Sequence, residues 1–436
     1  MFEKLANIFR IPDLRKRVLF TLAMLAVYRL GGHLPSPGVN FLKLEEAFKQ
    51  NAGSLLGFVD LFSGGNLRRM TIFALGIMPY ITASIILQLL TVVYEPLAKL
   101  QKEGEMGRKK ITMWTRYITV ILSAIQSFGI AIGLEKMGDF VLHPGWGFRL
   151  MTMLTLTTGS AFVMWLGEQI TDRGIGNGMS LLIFAGIVVG LPRGVQDLVD
   201  KAKNGTWGAI TPVLMAGLVV FMIAVVAFIV YVERCERRIP VQYAKRVVGR
   251  KVMGGQSTHL PLRVNAGGVM PVIFASSILT LPQTIGVGLR NTRYIGDLMR
   301  MLAWGEPLYT LLYALGIIFF AYFYVSIVFN PSEVADNMRK YGGFIPGIRP
   351  GRFTAEYIDR VLSRITLFGA IYVSIVCVLP TILIQRFNVP FYFGGTALLI
   401  VVGVALDTVA QMETHLLTRN YEGFMRRGRV KSRRGG

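Results

Sequence analysis

The chain is poor in charge. Of 436 residues 17% are charged, and 25 acidic side chains face 47 basic ones. It holds two cysteines, Cys235 and Cys377, too few and too far apart for a disulfide framework or a thiolate metal site. Four scattered histidines set no ligand spacing. There is no G-x-x-x-x-G-K-[ST] loop, so the usual phosphate cradle for a nucleotide is missing. Gly174, Gly176 and Gly178 lack the third glycine at the dinucleotide spacing and a preceding strand, and read as a tight turn. No cofactor and no catalytic constellation are implied. The basic start, with Lys4, Arg10 and Arg15 to Arg17, runs into apolar Val18–Leu34 without a small-x-small cleavage pattern, so that run reads as a first span rather than a cleaved leader. No low-complexity linker or separate soluble domain is visible.

What the chain has instead is apolar mass: 53% hydrophobic residues, 27 Phe and 48 Gly, with a mean hydropathy of +0.50. That composition belongs to a membrane protein. A spanning helix takes about 20 apolar residues, and apolar windows place ten helices near 18–34, 70–92, 114–133, 150–167, 179–192, 209–232, 267–288, 308–329, 365–385 and 394–412. An even count puts both termini on one side. The amino-terminal segment, the 93–113, 168–178, 233–266 and 330–364 loops and the tail carry most of the basic residues, so that side is expected to be cytoplasmic. The 192–208 loop divides the spans five and five. An odd number per half makes inverted halves geometrically available, although no sequence repeat between them is evident.

Three spans depart from the simple rule. The fifth is short, the second contains Pro79, and the seventh carries Gly267, Gly268, Pro271 and Pro282. Such interruptions either line a path through the protein or are packing kinks. Between the first two spans, Leu55–Phe62 is apolar but too short to cross, and Ser63-Gly64-Gly65-Asn66 follows it. It reads as a surface loop or as a re-entrant piece. Asp407 is the clear in-span acid, with Arg29 its best in-span counter-charge. It is either a functional group at membrane depth or a carboxylate solvated near the helix exit. From these residues alone, a gated channel, an ion-coupled secondary transporter for a small solute and an RNA-anchoring membrane protein all remain open.

The stretches Ile72-Phe-Ala-Leu-Gly-Ile-Met-Pro-Tyr-Ile81, Trp165-Leu-Gly-Glu-Gln-Ile-Thr-Asp-Arg-Gly-Ile-Gly-Asn-Gly178, Gln256-Ser-Thr-His-Leu-Pro261, Gly347-Ile-Arg-Pro-Gly351 and Pro390-Phe-Tyr-Phe-Gly-Gly-Thr396 resemble the bacterial SecY family. The resemblance runs in order from about Leu5 to the tail. It implies an all-α integral membrane protein of ten transmembrane helices in two inverted five-helix halves forming a clamshell, 1–192 and 193–436. A re-entrant plug would lie at about 55–66, with basic cytoplasmic loops at 233–266 and 330–364 and a basic tail at 418–436. The implied function is a passive conduit in the cytoplasmic membrane, passing unfolded secretory polypeptides across and releasing membrane segments sideways into lipid.

The same resemblance implies roles for individual residues. The pore ring would be Ile77, Ile81, Ile183, Ile273 and Ile400. Residues four apart on a helix share a face, so Ile77 and Ile81 can point to one axis, and a narrow apolar ring dewets when empty. The plug would present Leu55, Leu56, Phe58, Leu61 and Phe62, hinged at Gly64 and Gly65. The lateral gate would be Ser84 and Gln88 facing Ser276, Ser277 and Thr280, whose polar groups either bond across a closed interface or bond their own backbone. Arg246, Arg250 and Arg349 would serve partner docking. Implied partners are SecE and SecG subunits, the SecA motor ATPase, the ribosome through rRNA contacts, signal sequences of unfolded polypeptides, and membrane lipid.

Overall fold

The computed structural model describes residues 11–50, 60, 63–137, 140–203, 211–243, 246–248, 251–253, 257–286, 306–387 and 395–427. Helices dominate them: α1 Pro12–Gly31, α2 Phe41–Gln50, α3 Met78–Val93, α4 Glu95–Lys102, α5 Glu105–Met137, α6 Trp146–Arg173, α7 Gly178–Lys203, α8 Thr211–Glu233, α9 Met270–Gly286, α10 Pro307–Val328, α11 Pro331–Lys340, α12 Arg352–Phe387 and α13 Gly395–Arg427. Six of them contain a stretch long and apolar enough to cross a membrane, and α3 with α4 makes a seventh, bent by 106°. Shorter apolar stretches lie at Gly178–Gly190 and Met270–Thr280. With α1 over the first apolar window, ten helices among the described residues stand where the sequence places its spans. Lipid is the natural solvent for the outward faces: only 6% of the apolar window of α8 is buried, leaving Val219, Val220, Ile223 and Phe228 bare.

Where the span boundaries differ, local chemistry gives the reason. The second span begins at Met78 rather than near residue 70, because 72–77 is a run of turns in which Gly76 takes φ +55°. Pro79 then falls in the first helical turn, where its missing N–H would have had no partner, so it starts the helix instead of breaking it. Pro271 holds the same position in α9, after Gly268 at φ +58°. The fifth span is not short as a helix. It continues through Pro192 to Lys203, into the stretch read from sequence as a loop. The basic loops are also structured: β4, β1 and β5 form an antiparallel sheet (β1 Glu236–Tyr243, β4 Ser257–Arg263, β5 Gly343–Phe344), and β2 Arg246–Val248 pairs with β3 Lys251–Met253. Asn330 caps α11, its side chain accepting from the Ser332 and Glu333 amides.

The chain forms two compact units. The first comprises Met1–Arg193, Leu281–Met299 and Gly403–Gly436. Its core joins Val39, Leu67, Met70, Leu75, Leu134, Phe148 and Leu156. Along α5, Thr115, Thr119, Ser123 and Ser127 are buried at four-residue spacing on one face, each hydroxyl returning to a carbonyl of its own helix. Ser127 also meets Thr157 of α6 at 3.3 Å. The turn before α7 is held from three sides. Thr21 Oγ1 accepts the Ile175 N–H at 3.1 Å, Gln411 Oε1 accepts the Gly176 N–H at 3.0 Å, and Arg17 donates to the Gly174 carbonyl. Gly176 has φ +87° there, a conformation that glycine adopts without a Cβ clash.

The second unit comprises Gly194–Thr280 and Arg300–Val402. It packs the small sheet on α11 and α12 through Ile239, Val241, Leu262, Met338, Ile345, Ile358 and Val361.

Candidate functional site

In the first unit, Ile77 caps α3 and Ile81 donates its amide to the Ile77 carbonyl at 3.1 Å, so the two lie one turn apart on the same helical face. Both are buried, as is Ile183, the sixth residue of α7. In the second unit, Ile273 is the fourth residue of α9 and Ile400 the sixth of α13, again buried. All five isoleucines thus sit at the start of a helix. In three of these helices a glycine of positive φ, Gly76, Gly176 or Gly268, lies just upstream. A turn that ends abruptly in a helix places a β-branched side chain rigidly, since such a residue has one strongly preferred rotamer there.

Of the gate residues, Ser84 and Gln88 are half-buried on α3, while Ser276, Ser277 and Thr280 are buried on α9. Ser276 Oγ donates to the Ile273 carbonyl at 2.9 Å, and Thr280 Oγ1 to the Ser276 carbonyl at 2.7 Å, the own-backbone alternative. Gln88 Oε1 and Ser277 Oγ have no hydrogen-bond partner among the described residues. A polar atom buried without a partner is costly, which marks these two as the unspent hydrogen-bonding capacity of α3 and α9.

Leu55, Leu56, Phe58, Leu61 and Phe62 lie outside the described residues, but the end of that segment does not. Asp60 is buried; its Oδ1 accepts the Arg68 amide at 2.9 Å, and Oδ2 lies 3.8 Å from Arg68 Nε. The Asp60 carbonyl accepts from the Gly65 amide at 2.9 Å and from Ser63 Oγ at 3.0 Å. Gly64 and Gly65 take φ +72° and +82°. From α1, Tyr28 donates to the Ser63 carbonyl at 3.3 Å and Arg29 to the Gly64 carbonyl at 3.2 Å, while Asn66 Nδ2 reaches the Tyr28 oxygen at 3.5 Å. Burial pushes the Asp60 carboxyl above the usual carboxylate range, with the Arg68 amide and guanidinium pulling it back. Sequence reading missed this network. Its available signal was an acid, Asp60, set alone in an apolar stretch, together with Tyr28-Arg29 near the outer end of the first span.

Arg29 is therefore engaged with the Gly64 carbonyl, and Asp407 is exposed on α13. Among the docking residues, Arg246 lies in β2, opposite Met253, and Arg250 lies outside the described residues. Arg349 is exposed in a turn flanked by Gly347 at φ +83° and Gly351 at φ +101°, and its carbonyl accepts Thr354 Oγ1 at 2.9 Å. Among the described residues no cluster of three or more His, Cys, Asp or Glu could hold a metal ion.

Comparison with known proteins adds to this geometry. The family profile described as SecY matches residues 71–409. The chain is 48% identical to the protein translocase subunit SecY of Pseudomonas aeruginosa, over 97% of this chain and 95% of that one. It is 49% identical to the subunit of the same description from Escherichia coli K12, over 96% and 95%. A solved structure described as that of a protein conducting channel superposes with a TM-score of 0.65 at 19% identity, covering 92% of each chain. Sec61 in the canine ribosome-channel complex from the endoplasmic reticulum gives 0.61 at 19% identity and the same coverage.

Proposed function

Because the chain belongs to the SecY family, we propose that it is the channel subunit of a protein translocase, a passive conduit that moves unfolded polypeptide across the cytoplasmic membrane and releases apolar segments sideways into lipid. The observation that carries this reading is near half identity to translocase subunits along nearly the whole length of both chains. The chemistry suits it. In this reading five buried isoleucines, at the starts of four helices, serve as an aliphatic constriction that grips no particular sequence and stays dry when empty. The protein catalyses no reaction of its own; SecA or the translating ribosome supplies the energy, and SecE and SecG complete the complex.

In this reading, 1–192 and 193–436 are the two inverted halves, both termini are cytoplasmic, and 55–66 closes the outer side as a plug. Polar groups of α3 and α9 form the gate that signal sequences open. The basic loops meet rRNA phosphates and acidic surfaces of SecA, with Arg246, Arg250 and Arg349 at the contact. A coupled transporter would need more than one ionisable group at membrane depth, and its candidate Asp407 is exposed. A stalled secretory chain should crosslink to photoreactive side chains placed at Ile77 and Ile273. Solute uptake coupled to an ion gradient, with no such crosslink, would replace this reading.

A further inference from the structure

We propose that Asn265 is a positioning residue for the gate: clasped to Glu233, it fixes the turn from which α9 starts and so sets where Ile273, Ser276, Ser277 and Thr280 stand in the resting channel. This rests on the reading of α9 as one wall of the gate.

The chain leaves α8 at Glu233, runs out along β1, returns along β4 and enters α9 at Met270. Residues 264–269 join β4 to α9, and they are held from several sides. The Val264 amide donates to the Cys235 carbonyl at 3.0 Å, one step beyond the Glu236–Arg263 pair that ends the β1–β4 ladder. Asn265 Nδ2 donates to Glu233 Oε1 at 2.7 Å and to the Gly268 carbonyl at 3.1 Å, which uses both N–H groups of that amide. On α12, Gly369 lets the turn in: a Cβ there would stand 2.5 Å from the Val264 carbonyl oxygen.

Asn265 is buried, at 8% exposure. An amide so placed is costly without partners, and a hydrogen bond to a carboxylate is of the stronger kind. The pair therefore closes the ladder at the end where α8 and α9 meet it. Just beyond, Gly268 takes φ +58°, and the Ile273 amide donates to the Val269 carbonyl at 3.2 Å as α9 begins. Asn265 thus marks the fixed end of α9, eight residues before Ile273 and twelve before Ser277. A helix is a rigid element, so a shift of its first turn is carried to both.

The test uses the full chain purified with its small partner subunits and reconstituted in planar bilayers and in vesicles. Resting conductance, export of precursors with intact and with defective signal sequences, and melting temperature are read in parallel. Asn265→Asp sets one carboxylate against another and gives up the donor to Gly268. It is expected to raise resting conductance and export of the defective precursor about tenfold each, while the intact precursor is still exported; tenfold is the shift that breaking a hydrogen bond to a charged group makes in a two-state equilibrium. Glu233→Gln keeps an oxygen for Asn265 and is expected to behave like the parent. Combined with Asn265→Asp it supplies an amide to the new carboxylate, and should bring conductance and signal discrimination back about threefold toward the parental values. A merely structural role would lower the melting temperature and the export of both precursors alike, leaving their ratio unchanged.

Parental conductance with an unchanged precursor ratio in assembled Asn265→Asp overturns the inference, as does a double variant no tighter than Asn265→Asp alone. Should Asn265→Asp fail to assemble, Glu233→Ala, which keeps the bond to Gly268, decides alone by the same measurements. A photoreactive side chain placed at Ser277 separates the two levels. Its crosslink to a signal sequence beside parental point variants leaves the gate reading standing without the clasp, whereas the absence of that crosslink removes the gate reading and the inference with it.

Discussion

Gly64 and Gly186 meet backbone to backbone: a Cβ placed on Gly64 would stand 2.8 Å from the Gly186 Cα, a distance that real Cβ contacts do not reach. Gly186 follows Ile183 by three residues on α7. The end of the segment read as a plug therefore rests on the same helix that carries Ile183, one of the isoleucines proposed for the ring.

Gly64→Ala consequently combines a backbone clash with a φ of +72°. The left-handed conformation alone costs a non-glycine residue about 1–2 kcal/mol. Resting conductance should rise about tenfold, since 1.4 kcal/mol is a factor of ten in a two-state equilibrium. Gly65→Ala carries the same left-handed strain at φ +82° but should do less, because its new Cβ meets only the flexible end of Arg68, at 3.4 Å, and no backbone. Equal conductance in the two variants and the parent, measured in planar bilayers, would remove the tight approach from the closing mechanism.

Replacing Ile81 and Ile273 together by serine should also raise resting ion conductance, here by wetting. Hydroxyls in place of two aliphatic walls let water fill the constriction. Export should persist, because the ring makes no sequence-specific contact. A double variant that conducts like the parent means these residues do not line the pore.

Charge reversal at Arg349 or at Arg246 is expected to cut export severalfold while the chain itself still inserts. A docking loop steers its partner through its local field, so the defect should shrink as salt is raised. Unaltered motor-driven translocation together with unaltered ribosome binding would leave these charges only a topological role.

Deleting 57–66 should yield a channel that still exports proteins but discriminates poorly against defective signal sequences, because the closed state loses stability relative to the open one. With Phe62→Cys, a membrane-impermeant thiol reagent added outside should label the chain only while a substrate is in transit. Labelling that is the same with and without substrate would make this stretch an ordinary surface loop.

Much of the architecture was legible because hydropathy is a local property. Ten apolar windows, their order and the basic loops between them follow from composition over about 20 residues at a time. The motif around Gly174 to Gly178 was readable as a turn for the same reason. Boundaries were less so. Window averages cannot see that Gly76 leaves the helical region while Met78 and Pro79 start a helix, or that α7 runs on through Pro192, where the proline leaves one helical hydrogen bond unmade.

The candidate site divides in the same way. That isoleucines stand at positions 77, 81, 183, 273 and 400 is a matter of sequence, and so is the gap of four that puts the first two on one face. Only the tertiary structure decided that Tyr28 and Arg29 hold the carbonyls of Ser63 and Gly64, 35 residues away, and that Thr21 catches the Ile175 amide across 154. These are hydrogen bonds between groups whose periodicity says nothing of one another. They exist because a backbone amide or carbonyl turned away from water must find a partner wherever the folded chain supplies one.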